Sequence, residues 1–268
     1  MQSYRERRPS PALSAHLACV WVQEVEDAYT HRTVPNAAAE LACRIGGEPV
    51  ITGPRTGHAL ELVAPGTTVV GVRFRPGAAP ALLGVPASVL VDVSAPAGDV
   101  LPVGALAERI AAAPSPWEAA AELERFLLAR RAHAPAPDPL IAEAVRRLLW
   151  RPNDVTELTA ALYISERQLR RRSAEAIGLA PKAVHRILRF QGFLALAHGH
   201  EPRGPELAQL AADAGYADQS HLARESLRLA GVTPAALLRE SARQCAPTHD
   251  HAASFDPLLR ARTMAVSF

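Results

Sequence analysis

The stretch from Leu158 to Leu238 constrains this chain more than any other, because it repeats itself. A shift of 53 positions (222 − 169 = 53) carries Leu169 onto Leu222, Arg171 onto Arg224 and Ser173 onto Ser226. The same shift carries Gly178 onto Gly231 and Pro181 onto Pro234, and it sets Ser165 against Asp218. A fixed offset of this kind names a structural unit that is used twice.

Each copy reads as helix, tight turn, helix. In the first, Val155 to Leu162 has apolar residues at helical spacing, Tyr163-Ile164 is the turn, and Ser165 is an N-cap whose hydroxyl can accept from an orphan N–H. In the second, Leu207 to Ala214 is the first helix, Gly215-Tyr216-Ala217 the turn and Asp218 the N-cap. Two short helices joined this way form a helix-turn-helix, whose second helix can enter a DNA major groove. Between the copies, Pro181 to His198 is one helical pattern. Eighteen helical residues span about 27 Å, which suits two readers set about one DNA turn apart.

Projection of the second helices at about 100° per residue separates their faces. Ser165, Ser173 and Ala176 fall with Leu169, while Arg167, Arg170 and Arg171 fall on the opposite arc. In the second copy Leu222 and Leu229 face inward, and Ser220, Ala223 and Arg224 outward. A guanidinium near such a helix start can bond guanine O6 and N7 together. From Ser165 to Phe190 seven basic residues stand against two acidic ones, a local +5 (7 − 2) within a chain of net +2. Lys182 is the only lysine, so arginine by itself carries little weight, and the repeat, the turns and the facing carry the DNA reading together.

Leu158-Thr-Ala-Ala-Leu-Tyr-Ile-Ser-Glu-Arg-Gln-Leu-Arg-Arg, Gly178-Leu-Ala-Pro181, Gly215-Tyr-Ala-Asp-Gln-Ser-His-Leu222 and Ala230-Gly-Val-Thr-Pro234 resemble the C-terminal domain of AraC/XylS-type regulators over about 100 residues. The resemblance implies two helix-turn-helix units joined by a long helix, reading successive major grooves on one DNA face. It places base contacts on Arg167, Arg170 and Arg171, then on Gln219, Ser220, Ala223 and Arg224. Where that family usually has a large apolar residue, this chain has Ser173 and Ser226, which leads us to expect weakened inner faces on both recognition helices.

The segment from Pro9 to Arg75 has strand character. Ala18–Val25, Glu40–Ile45, Val50–Thr52 and Val69–Phe74 are short apolar or alternating runs, separated by turn formers such as Gly46-Gly-Glu-Pro49 and Pro65-Gly66. A small sheet or barrel able to close around a cavity is expected, followed by short helices at Ala79–Leu83 and Pro86–Leu90. Longer helices are expected at Val103–Ala112 and Trp117–Arg130. The region around Trp21, Val34-Pro-Asn-Ala-Ala-Ala-Glu-Leu41, Gly53-Pro-Arg55 and Gly71-Val-Arg-Phe-Arg-Pro-Gly-Ala78 resembles the N-terminal domain of one branch of AraC-type regulators. That resemblance implies a sensor domain of cupin-like or related β character. The branch more usually has Asp-Gly where this chain has Asn36-Ala37.

The expected fold class is therefore α+β: a small β-rich domain with appended helices, then an all-α domain. Its divisions are a regulatory domain at 1–133, a proline-spaced linker at 134–139, the DNA-binding domain at 140–240 and a tail at 241–268. His31, Asn36, Glu40 and Arg55 are the polar candidates for an effector site. In the tail, His249-Asp-His251 reads as two solvated histidines rather than a metal site.

Other chemistry finds little support. No glycine-rich nucleotide loop, HExxH or G-x-S-x-G is present, and Cys19, Cys43 and Cys245 suit neither a disulfide framework nor a zinc motif. No catalytic residue, cofactor or metal ligand is assigned, and the chain is not expected to be an enzyme. No signal peptide or apolar span is apparent, so a cytoplasmic protein without membrane contact is expected. The partners this reading admits are double-stranded DNA, a small-molecule effector, RNA polymerase and a second copy of the chain. Two alternatives stand beside it. The N-terminal half serves dimerisation or protein binding only, or His31, Glu40 and His58 hold a metal in an enzyme domain fused to a DNA reader.

Overall fold

The computed structural model describes residues 2–150, 155–198, 205–244, 250–255 and 257–258. The N-terminal half is built on an antiparallel six-stranded sheet. Its strands are β1 (Gln2–Arg7), β2 (Leu17–Val25), β4 (Glu40–Arg44), β5 (Pro49–Thr52), β7 (Thr67–Phe74) and β8 (Ser94–Pro96), in the order β1-β2-β7-β4-β5-β8. A separate two-stranded ribbon pairs β3 (Tyr29–Thr33) with β6 (Ala59–Val63). The sheet is open rather than a closed barrel in its pairing, and β1 lies at its edge.

Alternation along the strands gives the sheet two unlike faces. On one, Val20, Val22, Leu41, Ile51, Val70, Val72 and Phe74 are buried against α1 (Ala79–Leu83), α2 (Leu106–Ala112) and α3 (Pro116–Arg131) through Leu83, Leu106, Ile110, Leu123 and Leu127. This is the apolar core of the half, and the appended helices fill it. The registers Glu6↔Trp21↔Gly71↔Ala42 and Cys19↔Arg73↔Glu40 define the opposite face, where the charged Glu6, Arg73 and Glu40 stand beside a small cluster of Tyr4, Cys19 and Trp21. The strands do not close around a cavity of their own, and Arg73 on this second side instead lines a cavity shared with the helical half.

Glycine is needed in the middle of β7. Gly71 is paired with Trp21, whose ring lies across it, and a Cβ there would stand 2.3 Å from the indole Cζ2. Trp21 in turn packs 5.8 Å from Tyr4, centroid to centroid.

The helical half runs α4 (Pro139–Trp150), α5 (Val155–Leu162), α6 (Glu166–Ile177), α7 (Pro181–Ala197), α8 (Pro205–Asp213), α9 (Gln219–Ala230) and α10 (Pro234–Gln244). Leu158, Leu169, Ile187, Phe190, Phe193, Leu207, Leu222 and Leu229 form its common core. Ala37 belongs to the same cluster, and Val34 and Val91 pack against it, so the two halves share apolar contact. Among the described residues no helix is long and apolar enough to cross a membrane.

The segment after Glu240 departs from a plain tail. α10 continues to Gln244, and Asp250 pairs with the edge of β1, its N–H donating to Tyr4 O at 2.8 Å while Glu6 N–H donates to Asp250 O at 3.1 Å. His251 stacks on Tyr4 at 4.6 Å instead of standing in solvent. His249 lies outside the described residues.

Replacing Gly71 with Ala should cost about 1–3 kcal/mol, because the methyl group would overlap an aromatic ring already held on both sides. Urea unfolding followed by tryptophan fluorescence checks this. An unchanged midpoint would mean that the ring does not depend on the bare backbone.

Candidate nucleic-acid interface and effector cavity

The recognition helices begin and end on the local chemistry expected of them. Ser165 forms a reciprocal capping box with Gln168, its Oγ accepting from Gln168 N–H at 3.2 Å while its own N–H donates to Gln168 Oε1 at 2.9 Å. Asp218 Oδ1 accepts from His221 N–H at 2.6 Å at the start of α9. Gly178 and Gly231 terminate the two helices at φ 83° and 74°, a conformation glycine adopts without strain.

The repeat extends to the serines. Ser173 and Ser226 are buried, and each hydroxyl donates to the carbonyl six residues on, to Leu179 O at 2.6 Å and to Val232 O at 2.7 Å. The expected weakening of the inner faces is thus met by a hydrogen bond that ties each helix to the turn following its glycine.

Arg167, Arg170 and Arg171 are exposed on α6, and Gln219, Ser220 and Arg224 on α9, with Ala223 half-buried. The local charge around α6 is less free than its count. Arg172 Nη1 pairs with Asp138 Oδ2 at 2.8 Å, Arg186 with Glu225 at 3.5 Å, and Arg189 lies 4.5 Å over the Tyr216 ring. Asp138 also accepts from the N–H of Leu140 at the start of α4, so the linker is fastened to the first recognition helix.

The N-terminal half touches the C-terminal ends of both recognition helices. A 3-10 turn at Ala87–Leu90 packs against α6, and a Cβ on Gly178 would stand 2.6 Å from Val91 Cγ2 and 2.8 Å from Ala87 O. At the other helix a Cβ on Gly231 would stand 2.3 Å from the His58 ring. Beside it Arg32 donates from Nη1 to Ala230 O at 2.8 Å and from Nε to Glu240, 3.1 Å from Oε2. Gln191 on α7 donates to Pro35 O at 2.7 Å.

The polar face of the sheet centres on Arg73. Its Nε donates to Glu40 Oε1 at 2.7 Å, Nη1 to Glu6 Oε1 at 3.2 Å and Nη2 to the Tyr4 hydroxyl at 3.3 Å. Tyr4 also donates to Glu6 Oε1 at 2.7 Å. Burial alone would raise the Glu6 carboxyl, but His251, Arg73 and the hydroxyls of Tyr4 and Ser254 hold it down to about 2. Burial pushes the neighbouring Cys19 thiol up to about 12.

Of the sequence candidates, Asn36 donates to Glu40 Oε1 at 3.1 Å and accepts from Ala38 N–H at 3.0 Å, so both join the Arg73 cluster. Ala37 takes φ 57°, where the resembled branch has glycine. His31 Nδ1 lies 3.2 Å from the Tyr29 hydroxyl, and burial lowers its pKa, with Glu40 and Arg73 among the charges it feels. Arg55 follows Pro54, whose carbonyl accepts from Asp92 N–H at 3.0 Å. His58 abuts Gly231. Among the described residues no three His, Cys, Asp or Glu side chains are grouped to hold a metal ion.

A cavity of about 390 Å³ opens beside the cluster. Asn36, Arg73, Arg75 and Ala78 line it from the N-terminal half, Val145, Arg146, Leu149, Leu188 and Gln191 from α4 and α7, and Ser254 and Phe255 from the terminal segment. Sequence reading missed Arg73, Glu6 and Tyr4. In Val69-Val-Gly-Val-Arg-Phe74 strict alternation sets Arg73 on the face away from Val70, Val72 and Phe74, and that signal was available.

Residues 158–240 match a family model described as a helix-turn-helix domain, and residues 5–96 match one described as a domain of unknown function, DUF6597. The C-terminal part, residues 158–240, is therefore a helix-turn-helix domain of the AraC type, a DNA-binding module. Among solved structures, an apo variant of ToxT from Vibrio cholerae is 12% identical with a TM-score of 0.47, over 87% of this chain and 99% of that one. An unsaturated fatty acid-bound ToxT from the same organism is 11% identical with a TM-score of 0.41, over 89% of this chain and 94% of that one. No curated protein matches the sequence.

Alanine at Ser173 or Ser226 should each cost about 1–3 kcal/mol, since a carbonyl in the turn after each recognition helix loses its donor. Thermal or urea unfolding of the single variants measures it. Equal stability of variant and parent would leave the paired bonds without a structural role.

Proposed function

We propose that this chain is a transcription regulator of the cytoplasm whose two recognition helices read successive major grooves and whose N-terminal half adjusts them on binding a small molecule. The observation that carries this reading is the 390 Å³ cavity, because its walls come from both halves. A ligand there would touch the sheet through Arg73 and Asn36 and the DNA-binding half through α4 and α7. It therefore has a route to differential affinity for two arrangements of the halves, which any effector requires. Apolar groups such as Phe74, Val145, Leu149 and Leu188 line it beside the polar Asn36, Arg73, Arg146 and Gln191, and it suits a compact compound with an apolar body and hydrogen-bonding groups.

The working residues are assigned by exposure and position. Arg167, Arg170 and Arg171 supply the first base-reading surface, and Gln219, Ser220, Ala223 and Arg224 the second. Asn36 and Glu40 belong with Arg73 at the effector end, whereas His31 contacts Tyr29 and neither it nor Arg55 lines the cavity. RNA polymerase is a further partner only by the general logic of regulators. Screening metabolites against melting temperature and DNA affinity tests the effector reading. Compounds that shift both support it, and a complete library that shifts neither counts against it.

A second reading, that the N-terminal half mainly assembles dimers, is favoured by one feature. Leu60 and Leu62 project from the same side of β6 and are 55% and 74% exposed. Concentration-dependent association that disappears on replacing both with Ser would support it.

The two readers should be unequal. The first helix offers three exposed arginines, whereas the second offers Arg224 among neutral residues. From Glu206 to Arg228 two basic residues face four acidic ones, a net −2 (2 − 4). Each lost phosphate contact lowers the salt slope by about one. Changing Arg170 and Arg171 together to Ala should therefore weaken DNA binding more than changing Gln219 and Arg224 together. Titration of both variants over a range of salt decides, and a larger loss from the second pair would reverse the ranking.

A further inference from the structure

We infer that the C-terminal segment from Asp250 to Leu258 is a built-in occupant of the sheet's polar face, where its Ser254 hydroxyl and His251 ring stand in the place of a ligand that carries a hydroxyl beside a planar ring. The segment arrives as an added strand, through the two backbone bonds between Asp250 and β1. It then places Ser254 against the Arg73 cluster. The Ser254 N–H donates to Glu6 Oε2 at 2.8 Å, its Oγ donates to Glu6 Oε1 at 2.8 Å, and Arg73 Nη1 donates to that Oγ at 2.7 Å. The Cys19 thiol lies 3.4 Å away beneath it.

The planar group is His251. It stacks between Tyr4, at 4.6 Å and 26°, and Phe255, at 5.1 Å and 27°, with Nδ1 3.8 Å from Glu6 Oε1. Phe255, Pro257 and Leu258 continue as one wall of the 390 Å³ cavity. The segment thus fills the polar end of the cavity and borders its apolar body.

Three properties make this an occupant rather than a fixed part of the core. None of the described residues from 250 to 258 is buried, whereas Cys19, Tyr4 and Glu6 beneath them are. The specific contacts come from groups that a small molecule can also carry, a hydroxyl and a flat ring. The anchor holds two carboxylates, Glu6 and Glu40, against one guanidinium, Arg73, so a neutral hydroxyl fits it and an anion does not. A tethered segment also acts at an effective concentration in the millimolar range, so a free ligand must compete with it. This deepens the effector reading and rests on it only for its biological use.

Cys19 reports the seat of the segment directly. In the intact protein a thiol alkylating agent should modify Cys19 slowly, read by mass mapping of that peptide. Ser254→Ala and His251→Ala, together in the full chain, should speed modification about tenfold or more. A free peptide of residues 250–258 should restore protection to the variant, and the same peptide with Ala at the serine should not. Labelling of the variant at the parent rate would overturn the inference, as would protection by both peptides alike. The measurement uses neither effector nor DNA. A failed metabolite screen would therefore leave it standing, and its own failure would leave ligand control to be judged separately.

Discussion

A mostly buried guanidinium has to be surrounded by acceptors, and the N-terminal half is arranged around that requirement at Arg73. Its charge cannot be shed, so the surrounding chain must supply oxygen atoms at the right places. β1 brings Glu6 and the Tyr4 hydroxyl, β4 brings Glu40, and the terminal segment brings Ser254. Asn36 steadies Glu40 from the loop that also contacts α7 through Pro35. Edge strand, central strand, interdomain loop and terminal segment thus converge on one cation. The opposite face of the same sheet needs no such arrangement, because apolar side chains meet apolar helices there.

The helical half solves its problem twice with the same parts. Cap, inward leucine, buried serine and left-handed glycine recur in order, and the serine of each copy bonds the carbonyl six residues on. The serines turn a loss of apolar bulk into a defined bond, and the resulting turn is close enough for the other half of the chain to pack on each glycine.

What could be read in advance follows from how each element is stabilised. The repeat and its helices rest on apolar periodicity and capping, which sequence displays openly. β2, β4, β5 and β7 were visible for the same reason. β1 was hidden because its buried alternate residues, Gln2, Tyr4 and Glu6, are polar, so alternation ran between polar types. β3 and β6 form a ribbon with few buried side chains and so give little apolar signal. The docking of His251 and Ser254 depends on distant partners that no local pattern names. Asn36 and Glu40 were found because their segment resembles a known one, whereas Arg73, within the same resemblance, went unread beside its apolar neighbours.

The contacts at Gly178 and Gly231 have a consequence for how the readers can be moved. Each recognition helix is grasped at its C-terminal end, while the exposed residues proposed above to read bases cluster toward its start. A helix of 12 residues is about 18 Å long. Tilting it by about 10° around the grasped end would swing its tip by about 3 Å, close to the spacing of one base pair. A displacement too slight to disturb the packing at the pivot would then be enough to bring a guanidinium into or out of register with the base it reads.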